Sequence, residues 1–199
     1  MKHNLNLFAL ILLLSVVFTS CSKKDDTTTI ILTATQTKNV AADPAISGNH
    51  YTFFSLERNE MVAVSDSATA KWDIAFRSTN IIINGGISGS GAGGAFVQKA
   101  TTFDNYKTIP ADSVFKTDAS TAFAVPAGSG NGWYNYDFIA NIISPIPGNV
   151  LVVRTAGGKY AKVEILSYYK DAPASPAATD VTRYFTFRFV YQPNGTKTF

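Results

Sequence analysis

Arg183-Tyr184-Phe185-Thr186-Phe187-Arg188-Phe189-Val190-Tyr191 is the stretch that settles the fold class. Every second residue from Phe185 to Tyr191 is aromatic, and Tyr184, Thr186, Arg188 and Val190 alternate with them. Successive side chains of an extended chain point to opposite faces, so this spacing sets an aromatic row on one face and mostly polar side chains on the other. The stretch therefore predicts a strand whose aromatic face is turned to a core.

Working back along the chain, residues 150–154, Gly157-Gly158 and residues 160–166 read as a hairpin. Its double glycine permits the positive φ of a tight turn. Further short runs rich in β-branched and aromatic residues, bounded by Gly, Pro, Asn and Asp, fall at 30–35, 51–55, 61–64, 72–77, 81–84, 96–99 and 133–138. With 150–154, 160–169 and 183–191 they make ten predicted strands, and no window of a dozen residues keeps a helical period. The expectation is a single all-β antiparallel domain, sandwich or barrel-like, over residues 30–199. Residues 172–178 form a Pro/Ala loop between the last two strands, and residues 85–94 hold six glycines.

Composition agrees with one self-sufficient core. Of 199 residues, 46% are apolar and 13% aromatic against 16% charged, so the chain has enough apolar surface to fold without cross-links. It carries one cysteine and hence no internal disulfide. A net charge of +3, scattered along the chain, argues against a nucleic-acid partner.

The N-terminus reads as an address. Lys2 and His3 precede an apolar run over 7–18 that only Ser15 interrupts, and Thr19-Ser20-Cys21 closes it with small residues, the pattern of a signal peptide over residues 1–20. The run is too short for the ~20 residues that span a bilayer. Phe18-Thr19-Ser20-Cys21 resembles the lipobox of bacterial lipoproteins, which implies that Cys21 carries diacylglycerol and becomes the first residue of the mature chain. Residues 21–29 then form the lipid anchor and a flexible tether. Lys24-Asp25-Asp26 within it resembles the signal that sends lipoproteins of Bacteroidota to the cell surface.

Catalytic and metal-binding chemistry finds little to build on. Gly89-Ser90-Gly91-Ala92-Gly93-Gly94 lacks the Gly-Lys-Ser/Thr ending of a phosphate loop and no helix follows it, so it reads as a turn that brings two backbones close. His50 is the one histidine after the leader, no Gly-x-Ser-x-Gly elbow occurs, and Glu57, Glu60 and Glu164 are the only glutamates. Asp66, Asp112 and Asp118 sit in turn-like contexts. One histidine and one lipidated cysteine cannot supply a zinc site. The protein is expected not to be an enzyme, and any iron must arrive inside a cofactor.

Several segments in order resemble the HmuY family, haem-binding lipoproteins of Bacteroidota. They are Tyr51-Thr52-Phe53-Phe54-Ser55-Leu56, Glu60-Met61-Val62-Ala63-Val64, Lys71-Trp72-Asp73-Ile74-Ala75-Phe76-Arg77 and Asn84-Gly85-Gly86 with Ser88-Gly89. After them come Gly94-Ala95, Gly132-Trp133, Val152-Val153-Arg154-Thr155, Gly158-Lys159-Tyr160-Ala161-Lys162-Val163 and Tyr168-Tyr169. The resemblance implies an all-β fold, anchoring in the outer membrane at the cell surface, and delivery of haem, or a related planar tetrapyrrole, to a TonB-dependent receptor. In the family, histidines or methionines hold the iron from loops flanking a strand that starts at a tryptophan like Trp133. Here residues 119–131 contain neither type, and Phe138 falls where some relatives carry histidine. Tyrosinate is also an axial ligand to haem iron, which makes Tyr134 and Tyr136 the local haem-binding candidates. The plainer reading of both is packing and β propensity. His50 is expected to flank the strand at Tyr51, and Met61 to pack in the core. Two other roles fit the same fold: binding a different iron carrier or a glycan, or serving as a receptor accessory subunit.

Overall fold

The computed structural model describes residues 31–43 and 50–199. The expected signal peptide over 1–20, Cys21 and the expected tether over 21–29 lie outside the described residues. Eleven strands occur among those described: β1 (Thr35–Ala41), β2 (Thr52–Ser55), β3 (Glu60–Val62), β4 (Ile74–Arg77), β5 (Asn80–Ile83), β6 (Gly94–Gln98), β7 (Tyr134–Asp137), β8 (Ile142–Pro145), β9 (Val150–Arg154), β10 (Tyr160–Tyr169) and β11 (Thr182–Gln192). The only helices among these residues are two single 3₁₀ turns, Val64–Asp66 and Asp112–Val114.

A five-stranded sheet in the order β1-β11-β10-β9-β6 faces a four-stranded sheet in the order β3-β2-β4-β5, and β7 and β8 form a separate two-stranded ribbon. All strand pairs are antiparallel. The all-β reading holds, as a sandwich and not a closed barrel. Its seam is the aromatic row of β11. Phe185, Phe187 and Phe189 are buried, with Phe76 of β4 centred 4.6 Å from Phe185 and Phe54 of β2 meeting Phe187 edge-on at 5.2 Å. Each buried ring contributes about 1.5–3 kcal/mol by leaving water, with about 0.5–1.5 kcal/mol more for each well-oriented pair.

The polar row of β11 is covered too. Phe103, Tyr106, Ile109 and Phe115 pack over Val152, Tyr160 and Val190 as an outer cluster that Leu32 and Phe199 join. Lys162 lies buried inside it, donating from Nζ to the carbonyls of Phe103 (2.8 Å) and Tyr106 (2.9 Å), and its ammonium stands 4.7 Å from the Phe103 ring centre. Burial lowers its pKa below the usual lysine value.

The hairpin expected over 150–166 is β9–β10, turned by Gly158 at φ +76. Two expectations need correcting. The first strand among the described residues is Thr35–Ala41, where 30–35 was expected: residues 31–34 are outside any strand, and the register is set by pairing with β11, from Thr35 opposite Phe189 to Ala41 opposite Tyr184, while Leu32 packs against the outer cluster. Met61 is exposed and not in the core, since β3 is the outermost strand of its sheet. Strand β8 is not among the ten expected strands; it ends in Pro145, a residue disfavoured inside sheets.

The glycine-rich segment brings backbones together as expected. A Cβ on Gly85 would overlap the Gly93 carbonyl, and one on Gly93 the Asn84 carbonyl. Asn84 ties this crossing by donating to the carbonyls of Thr69 (2.9 Å) and Trp72 (2.8 Å) and accepting from the Gly91 N–H (2.9 Å). Residues Leu32–Phe199 pack as one compact unit.

Candidate functional site

A cleft of about 440 Å³ lies in the segment that precedes Trp133. It is lined by Lys116, Ala119, Ser120, Thr121, Ala122, Phe123, Pro126 and Ala127. The loop that forms it buries Ala124 and Val125 in the main core. Hydrogen bonds fix it further. Lys116 exchanges both backbone bonds with Ala95 at the edge of β6, and Ala119 and Ala122 close a turn on each other. Asp118, buried between them, accepts the N–H of Ile83 at 2.9 Å and of Ala124 at 2.7 Å, so one carboxylate joins β5 to both ends of the cleft wall. Phe123 packs against the outer face of the four-stranded sheet, beside Phe53 and Trp72.

Beyond the cleft the chain runs directly into β7. Gly132 lies so close to the Pro126 carbonyl that no side chain fits there. Trp133 is buried, donates from Nε1 to the Thr79 carbonyl at 2.8 Å, and packs on Tyr134, Phe185 and Tyr168 with ring centres 4.8, 5.0 and 5.7 Å away. It therefore fixes the start of β7 on the end of the aromatic seam. Burial raises the Tyr168 phenol above its ordinary value.

The two tyrosine candidates differ. Tyr134 is buried against Trp133 as part of the main core. Tyr136, two residues on and so on the same side of the ribbon, is 44% exposed, and its hydroxyl donates to Asn141 Oδ1 at 2.9 Å. Its backbone N–H donates to Ser129 Oγ at 2.8 Å, which holds β7 against the segment that leaves the cleft. Neither ring is among the residues lining the cleft. The ribbon ends in Phe138 and Ile139, both exposed, over a turn in which Asp137 accepts the N–H groups of Ile139 and Ala140. His50 is exposed and immediately precedes the Tyr51 segment. No group of three His, Cys, Asp or Glu able to hold a metal occurs among the described residues.

Sequence reasoning missed Asp118, which it placed in a turn. Its two partners lie 35 residues before it and 6 after, so only the local bond had any trace in the sequence.

An antiparallel all-β sandwich with an open, mostly apolar cleft of ligand size defines the class of protein. The chain belongs to the HmuY family, whose model, described as HmuY protein, matches residues 47–189. Solved structures share its fold. One, described as HmuY-like and haem-binding, from Bacteroides vulgatus, is 20% identical, with 79% of this chain and 91% of that one covered at a TM-score of 0.53. Another is apo PinO from Porphyromonas gingivitis, 15% identical over 82% of this chain and 98% of that one at 0.52. A third, described as a lipoprotein, from Bacteroides fragilis, is 17% identical over 80% and 91% at 0.50. At these identities the likeness is one of fold. No curated protein matches the chain in sequence.

Proposed function

We propose that this protein captures haem, or a closely related planar tetrapyrrole, in the cleft before Trp133 and passes it unchanged to a TonB-dependent receptor. Cys21 would hold it by a lipid anchor to the outer membrane, at the cell surface, with the signal peptide over 1–20 removed. The observation that carries the reading is the cleft itself. At about 440 Å³ it falls within the range of small-molecule sites, its lining is largely apolar, and Lys116 supplies one cation suited to a propionate. It also occupies the segment from which the family resemblance implies that a ligand is presented.

Of the two tyrosines, Tyr136 is the one we assign as iron ligand, since its phenol is exposed on the ribbon beside the cleft-forming segment. Ligation requires the phenolate, so the bond to Asn141 would be given up. Tyr134 supports it from the core. A second reading has its own support: among the described residues no His, Met, Cys or Tyr lines the cleft, which suits a ligand held by its flat apolar faces without an iron bond.

Titration of the purified protein with haem, and separately with iron-free protoporphyrin, followed by the Soret band, separates the two. Ligation by Tyr136 predicts a haem shift that Tyr136→Phe removes and Tyr134→Phe keeps. Equal binding of both porphyrins, unaffected by Tyr136→Phe, favours the second reading. If neither porphyrin shifts the band, tetrapyrrole binding is ruled out. Radiolabelled palmitate incorporation that Cys21→Ser abolishes would confirm the anchor.

A further inference from the structure

A polar cavity of about 170 Å³ lies between the two sheets, where the β2–β3 turn, the β9–β10 turn and the end of β11 meet. It shares no lining residue with the cleft before Trp133. Ser55, Glu57, Asp73, Thr155, Lys159 and Tyr191 contribute to it, and Ser55, Asp73 and Thr155 are buried.

Asp73 is the centre of this cavity's chemistry. Its carboxylate accepts the N–H of Leu56 at 2.8 Å and of Ala156 at 3.0 Å, which links the ends of β2 and β9 across the sandwich. The Glu57 N–H is a third backbone donor to it, and a carboxylate has about four lone-pair sites, so these bonds do not exhaust it. Burial raises the Asp73 carboxyl above its ordinary value in spite of its backbone donors, and neighbouring Glu57 adds to the rise. Glu57 in turn accepts from the Tyr191 phenol, whose pKa is pushed up to about 12, chiefly by burial. Two carboxylates therefore line the cavity, Asp73 buried and Glu57 exposed, and neither is in an ion pair among the described residues.

Its rim has the opposite sign. Arg58 and Lys71 also line it but are engaged with Glu60 and Asp66, whereas Lys159 stands in the β9–β10 turn outside any ion pair among the described residues. The hydroxyls of Ser55 and Thr155 each receive a backbone N–H, from Arg58 and Lys159, and their own protons are not spent in those bonds. Two carboxylates and a lysine lining one small cavity match a molecule with an ammonium at one end and an oxygen function beside it. The volume is below the ~300 Å³ at which drug-sized ligands are usually housed, which sets the cavity apart from a porphyrin site.

We propose that this cavity binds the α-ammonium group of a small amino acid or of a peptide N-terminus, seated against Asp73 and Glu57 with the adjacent carboxyl or carbonyl oxygen facing Lys159.

Calorimetric titration of the purified full chain with glycine, triglycine and N-acetylglycine tests it. Binding of glycine identifies a free amino acid, and binding of triglycine alone identifies a peptide N-terminus; N-acetylglycine, with its ammonium capped, is expected to give no heat. Asp73→Asn should weaken binding by about tenfold or more, as expected for loss of a charged hydrogen-bond partner. Because Asp73 also bonds Leu56 and Ala156, the exposed Glu57→Gln and half-buried Lys159→Ala provide the second check. Each should weaken glycine or triglycine several-fold while the melting curve stays in place. Absence of heat with both glycine and triglycine overturns the proposal, as does equal binding of N-acetylglycine or indifference of the affinity to both of those variants.

Discussion

Single side chains hold this sandwich together where packing cannot. Asp118 satisfies two buried N–H groups at once, so Asp118→Ala strands both and is expected to cost about 2–4 kcal/mol. A urea titration measures that loss, and porphyrin binding should fall with it because the cleft wall loses its attachment to β5. Asp73 carries a different signature, in pH. Its folded carboxyl is raised above the ordinary value of 3.8, so the folded state holds that proton to higher pH than the unfolded chain does. The associated stability is present in full below 3.8 and is lost as pH rises through the folded value. The urea midpoint of the native protein, relative to that of Asp73→Asn, should therefore decline across the mildly acidic range; a relative midpoint that climbs with pH there would contradict the assignment.

At the level of elements, turns and crossings set the tolerances. Gly85→Ala drives a methyl into the Gly93 carbonyl, whereas a Cβ on Gly157 meets nothing within 4 Å. The first substitution should lower the melting temperature by several degrees, a cost of about 2 kcal/mol or more, and the second should be close to neutral. Differential scanning fluorimetry of the pair checks it. The same elements show how far the residues announced their structure. The β9–β10 hairpin and the aromatic face of β11 were legible, because period-two alternation and a double glycine are local signals. Strand β8 was not, since a strand ending in proline carries no local mark beyond its partner β7. The position of β1 was lost for a related reason: its pairing is decided by β11, some 150 residues on, and not by the Ile30-Ile31-Leu32 run that drew attention to it. The cleft fell within a segment singled out for what it lacks, His and Met, but the bond pattern that shapes it runs through Asp118 to β5 and left no sequence pattern. Met61 was misplaced because nothing local distinguishes an outermost strand from an inner one.

Across the whole molecule, stability is concentrated in the seam between the sheets. Phe187 is fully buried and touches both Phe54 and Phe76, so Phe187→Ala should cost about 3–5 kcal/mol. The outer cluster is a separate reservoir on the far side of the same sheet. Tyr106 contributes a buried hydroxyl with no partner among the described residues, so Tyr106→Phe is expected to raise stability, read from the chemical-denaturation midpoint, by up to about 1 kcal/mol.

The pairing of β1 with β11 also bears on how quickly the molecule can assemble. Its first strand finds its neighbour only after nearly the entire polypeptide has emerged, and such distant partners place the fold among slow all-β folders that need milliseconds to seconds. Under the export proposed above, that delay would keep the five-stranded sheet from closing before the chain has crossed the membrane.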